Sequence, residues 1–277
     1  YGTATGVQTC ALPICQFLSG MLMAAPYCSS DVFLSVQGPL VSKPYVEMTI
    51  RVMEAFGVEV ESPREGEYRI AAPQCYRGIN YSIEPDASAA SYFFALAAIT
   101  GGKIRVFDLN FQALQGDVQF AKVLERMGCE VTSGDDWIEV AGRARRGIDV
   151  DMANISDTVQ TLAAVALFAD SPTRVRGVAH NRHKETDRIG DLLREIRRLG
   201  GEGEEHEDGL TIVPKPLKAC EIETYRDHRM AMSFALVATQ IPGCLILDPQ
   251  CTEKTYPLYF QDLGSITGTV PRFIETI

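Results

Sequence analysis

The sequence predicts an inside-out α/β barrel built from βαβαββ repeats, with apolar helices inside and short strands around them. Three observations predict it: a period of about seventy residues, a first helix in each period that has no polar face, and a second, amphipathic helix stopped by glycine.

The period shows in three segments that align without gaps. They are DASAASYFFALAAITGGKIRVFDL from Asp86, DTVQTLAAVALFADSPTRVRGVAH from Asp157 and DHRMAMSFALVATQIPGCLILDPQ from Asp227. The step from Asp86 to Asp157 is 71 residues and the step to Asp227 another 70. A fourth copy, QFLSGMLMAAPYCSSDVFLSVQG, starts at Gln16, 70 residues before Asp86. Aspartate opens the first three copies because its carboxylate accepts from the free N–H groups of a helix start. An Ala-rich apolar run follows, then a break at Gly or Pro and a β-rich run. A helix without a polar face has to be buried, so the first helices are expected to pack on one another inside.

The second helices are KPYVEMTIRVMEAFGVEVE, GDVQFAKVLERMGCEVT and ETDRIGDLLREIRRLGGEGEE, with apolar residues at i, i+3, i+4 and i+7. They end at Gly57, Gly128 and Gly200, the residue type that stops a helix. Two strands come next, joined by turns such as Gly134-Asp135-Asp136 and Glu207-Asp208-Gly209. The length, 277 residues, exceeds what one core usually organises, so two domains are expected. The boundary is placed near Glu84-Pro85-Asp86, with one copy in residues 15–84 and three βαβαββ-type units in 85–277.

Thr5 to Ile14 reads TGVQTCALPI, which back-translates in frame into a common sequencing adapter. Residues 1–14 are therefore expected to be non-native and stay outside the fold reading.

A net charge of −10 gives the chain no overall attraction for nucleic acid or an anionic membrane. Eight cysteines, none in a CxxC pair, read as reduced, buried thiols of a cytoplasmic protein. Gly-rich phosphate loops, GxSxG, HExxH and dinucleotide fingerprints are absent, so no cofactor and no metal are expected.

Chemistry is expected at the helix starts, where free N–H groups and positive dipole ends favour anions. The run His180 to Arg188 is dense in charge, and Lys184, Glu185 and Arg188 are read as one turn of a helix start, 184 and 188 sharing a face. Alone it also reads as a solvated i,i+4 network. Tyr225-Arg226-Asp227-His228-Arg229 puts His and Arg at the mouth of an apolar helix, where unpaired charge is costly. Function is favoured there over a merely structural Asp227–Arg229 pair. Asp157 holds the repeat position of Asp227. Ser42, before a helix, could cap it or hold a phosphate, and Lys254 alone reads as a surface lysine.

LVSKPY, DASAASYF, HKETDRI, YRDHRMAMSFALVA and CTEKTYP resemble, in order and spacing, the signatures of the EPSP synthase family, from about Cys15 to beyond Leu263. The resemblance implies the two-domain enolpyruvyl transferase fold, here with its first domain incomplete. It implies transfer of the enolpyruvyl group of phosphoenolpyruvate to the 5-hydroxyl of shikimate 3-phosphate, in chorismate and aromatic amino acid biosynthesis. By this likeness Asp157 is the base, Glu185 the acid, and Lys254 and His228 complete the catalytic set. Gln16, Arg188, Arg229 and Lys254 fall on phosphoenolpyruvate positions. Gln16, Ser42, Tyr45, Asp157, His180 and Lys184 fall on shikimate 3-phosphate positions. His180 stands where the family often has Asn, and Ile14-Cys15-Gln16 where it has Ser-Ser-Gln. Two further phosphoenolpyruvate ligands of the family fall before the matched region, so the chain alone is expected to be inactive. The expected partners are the two small substrates, with no nucleic acid or membrane, and the full-length enzyme is expected to be a cytoplasmic monomer. The rival readings are UDP-N-acetylglucosamine enolpyruvyl transferase and a non-catalytic binding module of the same fold.

Overall fold

The computed structural model describes residues 15–38, 40 and 43–269, and the chain divides into two compact units between Tyr81 and Ser82. The expected site residue Ser42 lies outside the described residues.

The first unit runs α1 (Cys15–Ala24), β1 (Val32–Ser35), α2 (Lys43–Ala55), β2 (Glu61–Arg64) and β3 (Glu67–Ile70). Its strands form an antiparallel sheet in the order β1-β3-β2. A small core of Leu22, Val46, Met53, Val58, Tyr68 and Ile70 lies between this sheet and the two helices. The sequence pattern makes α1 apolar all round and therefore buried. Instead Phe17, Met21 and Met23 are exposed. The reason is local: among the described residues α1 packs on the amphipathic α2, and this unit holds no second apolar helix.

In the second unit the apolar helices do meet. They are α3 (Ala87–Thr100), α5 (Val159–Ala166) and α7 (His228–Ala238), the three first helices of the repeat. Each packs on the other two. Almost every side chain of α3, α5 and α7 is buried, as the lack of a polar face requires. Asp86 caps α3 by accepting from Ala89 N at 3.0 Å, and Gly101 ends it in a left-handed conformation.

The strands around them are β4 (Lys103–Phe107), β5 (Glu130–Ser133) and β6 (Trp137–Ala141) from the first copy, with α4 (Phe120–Arg126) before the β5–β6 hairpin. The middle copy is β7 (Asp149–Asp151), α5, β8 (Thr173–Arg176), α6 (Gly190–Arg198), β9 (Glu202–His206) and β10 (Gly209–Val213). The third is β11 (Glu221–Ile222), α7, β12 (Leu245–Ile246) and α8 (Tyr259–Thr267). Among the described residues only the middle copy carries all six elements of the expected βαβαββ unit. Its sheet, β7-β8-β10-β9, pairs β7 with β8 in parallel and the rest antiparallel. In the first copy the place next to β4 that β7 fills beside β8 is not taken by a strand, so β4 is an edge among the described residues. In the third copy β11 and β12 pair in parallel, and α8 takes the place that α6 holds in the middle copy, the second helix of the unit. No helix among the described residues is long and apolar enough to cross a membrane.

The helix expected from Glu185 begins at Gly190, and Lys184 to Ile189 is an irregular bend. Asp187 causes this: its Oδ1 accepts from Ile189 N at 3.1 Å and Gly190 N at 3.0 Å, which closes a turn in place of helix. Lys184 and Arg188 are thereby freed from a shared helical face.

Gly209 opens β10 where it crosses β8. A Cβ there would collide with the Val175 carbonyl of the neighbouring strand. Overpacking of this kind costs about 1–3 kcal/mol. Gly209→Ala is expected to lower the urea midpoint of the second unit with little change in the denaturant slope; an unchanged midpoint would show that the strands simply move apart.

Candidate active site

Four segments of the second unit pass from the end of a strand to the start of a helix: β7 to α5, β8 to α6, β11 to α7 and β12 to α8. Each brings a charged residue to the same place. Asp157 stands in the 3-10 turn 153–158 ahead of α5, and Asp227 is the N-cap of α7. Lys184, Glu185 and Arg188 come from the bend before α6, and Lys254 ends the turn 249–254 after β12.

Arg188 is the hub. Its side chain is only 2% exposed, and it lies against Asp227, whose side chain is fully buried. Nε donates to Asp227 Oδ2 at 2.6 Å and Nη2 to Oδ1 at 3.2 Å, a two-pronged pair. Nη2 also donates to Glu185 Oε2 at 2.7 Å, and Nη1 lies 3.4 Å from Asp157 Oδ1. Asp157 in turn accepts from Arg229 Nη2 at 2.7 Å through Oδ2 and binds Lys184 through Oδ1. Lys254 Nζ donates to Glu185 Oε1 at 3.1 Å. Asp227 caps α7 as well, accepting from Arg229 N at 2.8 Å. Four cations therefore meet three carboxylates, which leaves the cluster one positive charge in excess at the starts of α5 and α7, where free N–H groups add to it.

The loop that delivers Asp227 is strained. Tyr225 and Arg226, with φ of 54° and 59°, are consecutive left-handed non-glycine residues, a conformation costing on the order of 1–3 kcal/mol each. Glu195 of α6, fully buried, holds it: Oε1 accepts from Tyr225 Oη at 2.7 Å and Oε2 from Glu223 N at 3.1 Å.

Burial alone would raise the Asp157 carboxyl, but Arg229, Lys184 and Arg188 outweigh it and hold it well below the ordinary carboxylate range. Burial also opposes ionisation of Glu185, yet Arg188, its own backbone N–H and Lys254 bring it down to about 2. Both are ionised at neutral pH. Burial, helped by Lys184 and opposed by Asp157, pulls His180 down to about 4. Burial and the Arg229 charge likewise lower His228. His228, placed by the sequence with Arg229 at the mouth of an apolar helix, is neutral at pH 7, because it is 4% exposed and lies among Arg229, Arg188 and Lys254. Its Nδ1 has no hydrogen-bond partner and lies 3.8 Å from Asp227 Oδ1.

These shifts set the acid response. The folded chain binds a proton on His180 more weakly than the unfolded chain does, so stability declines as pH falls from 6.5 towards 4. Glu185 contributes stability above 4.5 that is lost as pH falls through 2. The melting temperature is expected to be flat between about pH 6.5 and 8 and to fall throughout the acid range. A maximum near pH 4 would contradict these assignments.

The structure thus joins Asp157, Lys184, Glu185, Arg188, Arg229 and Lys254 in one network, with His180 and His228 beside it. Gln16 is exposed on α1 and Tyr45 half-buried on α2, both in the first unit. Sequence reasoning missed Ser156, whose Oγ receives Lys184 Nζ at 3.2 Å and whose carbonyl receives Asn181 Nδ2 at 2.9 Å. It also missed Asn181, whose carbonyl accepts from Arg188 N at 3.1 Å. Adjacency to Asp157 and His180 was the only signal for either. Tyr92 of α3, buried beside Arg229, carried no signal in an apolar run; burial pushes its phenol up to about 12.

Among the described residues no three His, Cys, Asp or Glu side chains converge as a cation site. Residues 5–263 match the family model for EPSP synthase (3-phosphoshikimate 1-carboxyvinyltransferase). The chain is 52% identical over 246 residues to the 3-phosphoshikimate 1-carboxyvinyltransferase of Nostoc punctiforme, covering 88% of this chain and 58% of that protein. It is 47% identical over 254 residues to that of Serratia proteamaculans, covering 91% of this chain and 59% of that protein. The chain thus spans less than two thirds of the length of these relatives. An EPSP synthase structure from Acinetobacter baumannii superposes with a TM-score of 0.71 at 23% identity, over 90% of this chain and 59% of that one. The enolpyruvyl transferase NikO from Streptomyces tendae gives 0.67 at 18% identity, over 88% and 57%. These two likenesses identify the fold as that of the two-domain α/β enolpyruvyl transferases. With a family match over most of its length and relatives near half identity, the chain belongs to the EPSP synthase (3-phosphoshikimate 1-carboxyvinyltransferase) family.

Proposed function

We propose that the chain carries the acid–base half of an enzyme that transfers the enolpyruvyl group of phosphoenolpyruvate to the 5-hydroxyl of shikimate 3-phosphate. The observation that supports it best is the Arg188 guanidinium, which touches both Asp157 and Glu185. Two carboxylates within reach of one cation suit a reaction that removes one proton and delivers another. Asp157 takes the proton of the 5-hydroxyl as its oxygen attacks C2 of phosphoenolpyruvate. Glu185, which takes up a proton once the incoming anion has drawn its cations away, supplies the proton that arrives on the methylene carbon. Elimination from the tetrahedral ketal then expels inorganic phosphate, and a proton returns from the methyl carbon to Glu185 as the double bond is restored.

Arg188, Arg229 and Lys254 hold the carboxylate and phosphate of phosphoenolpyruvate in this reading. In the structure those cations rest on Asp157 and Glu185. When an anion takes them over, both carboxylates lose the field that depresses them, so each becomes a better proton carrier as the substrate arrives. Fixed donors aimed at the charged intermediate are the main catalytic term expected. Gln16, Ser42, Tyr45, His180 and Lys184 are the proposed contacts of shikimate 3-phosphate, and His228 stands by as a neutral imidazole. The reading includes a cytoplasmic, monomeric full-length enzyme. Residues 15–84 are its inserted domain's end and 85–277 most of the other domain, which the division between Tyr81 and Ser82 supports.

The test grafts residues 15–263 of this chain into the Nostoc punctiforme relative in place of the matching segment. Phosphate release from phosphoenolpyruvate is expected with shikimate 3-phosphate and not with UDP-N-acetylglucosamine. Release with the nucleotide sugar alone would sink the proposal.

A further inference from the structure

The sequence reading expected buried thiols throughout, but among the described cysteines only Cys129 is buried; Cys28 and Cys75 are exposed, and Cys220, Cys244 and Cys251 are half-buried. Two of these stand side by side. β11 and β12 run parallel, with Glu221 opposite Leu245 and Ile222 opposite Ile246. The pairing continues backwards along both strands. Leu245 N donates to Cys220 O at 3.1 Å. A Cβ on Gly243 would lie 3.3 Å from the Ala219 Cβ, so the chains are still in contact one step earlier. This register sets Cys220 opposite Cys244.

Opposed residues of a parallel pair project from the same face of the sheet. Both sulfurs are accordingly packed against the core of the second unit. Neighbouring strands lie about 4.7–4.9 Å apart, inside the window of about 4.4–6.8 Å between Cα atoms that a disulfide requires. The proximity is felt electrostatically too: burial first, and then Cys244, push the Cys220 thiol above its ordinary value.

We propose that Cys220 and Cys244 are a dithiol modification site that closes to a disulfide by exchange with a low-molecular-weight disulfide. One cysteine, as thiolate, attacks a sulfur of the small disulfide; that S–S bond breaks and one small thiol leaves. The second cysteine gives up its proton and attacks the protein sulfur of the mixed disulfide, and the second small thiol leaves. The protein loses two electrons and two protons, and both appear in the two released thiols. The thiolate is the attacking species, so closure accelerates as pH rises. The bond would tie together the roots of the two segments that carry Asp227 and Lys254, which leave β11 and β12 respectively.

The folded 277-residue chain is incubated with oxidised glutathione, alkylated and digested. A cross-link between the Cys220 and Cys244 peptides is expected, with a higher ratio of cross-link to mixed disulfide than in urea-unfolded chain, and lost in both Cys220→Ser and Cys244→Ser. Separate glutathione adducts on the two cysteines, or an equal ratio folded and unfolded, would overturn the proposal. Phenylarsine oxide, which bridges neighbouring thiols with loss of water, reads the wild-type chain without any variant. Joint protection of both cysteines from alkylation supports the dithiol, and independent alkylation refutes it.

Discussion

Arg188→Ala is expected to destabilise the second unit by about 3–5 kcal/mol, the cost of leaving a buried charge without its partner. Asp227 has no exposed surface, and both of its oxygens point at Arg188. Without the guanidinium, its remaining described hydrogen bond is the cap to Arg229 N. Glu185 loses one of its two cations at the same time. Arg188→Lys keeps the charge but not the fork, since an ammonium is a point charge and cannot satisfy Asp227, Glu185 and Asp157 together. It should recover a minor part of the loss. The chain contains a single tryptophan, Trp137, which lies in β6. Its fluorescence therefore reports unfolding of the second unit alone. A loss below about 1 kcal/mol would mean that Asp227 reaches water more easily than its burial says.

Asp157→Ala in the grafted enzyme is expected to reduce kcat by about 10²–10⁴, the usual worth of a general base. The accompanying change in KM separates this role from simple binding. Asp157 pairs with Arg229, Lys184 and Arg188. Removing it frees those cations, so KM for phosphoenolpyruvate should stay level or fall while kcat collapses. A raised KM with kcat intact would make Asp157 a binding residue only. Asp157→Asn, which keeps the shape without the charge, should match the alanine variant in kcat.

The repeat made much of this legible. Asp86 and Asp227 open their helices as caps because aspartate does so locally, within three residues of its own position. The burial of α3, α5 and α7 follows from the absence of any polar face. What the sequence could not show was pairing across distance. Asp227 was weighed as the partner of Arg229, two positions away, yet its carboxylate is held by Arg188, whose position depends on how β8, α6 and α7 pack. The stretch Lys184 to Arg188 looked helical by spacing, and a single side chain, Asp187, turned it into a bend. Ser156 and Asn181 matter through hydrogen bonds to backbone and lysine, which leave no periodic trace. The exposure of α1 was missed because an apolar pattern says that a face wants cover, not that a neighbour exists to provide it.

The edge position of β4 bears on how the protein behaves in bulk. The open side of an edge strand presents a row of backbone donors and acceptors, and any extended peptide can dock on such a row. Phe107 at its end is exposed, and Lys103 and Arg105, which would repel a second copy, are both drawn onto Glu139. With one of those two charges neutralised, what mainly keeps molecules apart is the long-range acidic charge of the whole chain. Concentrated salt shortens the reach of that charge to a few ångströms, so the colloidal stability of the preparation declines as ionic strength rises, even while each molecule stays folded.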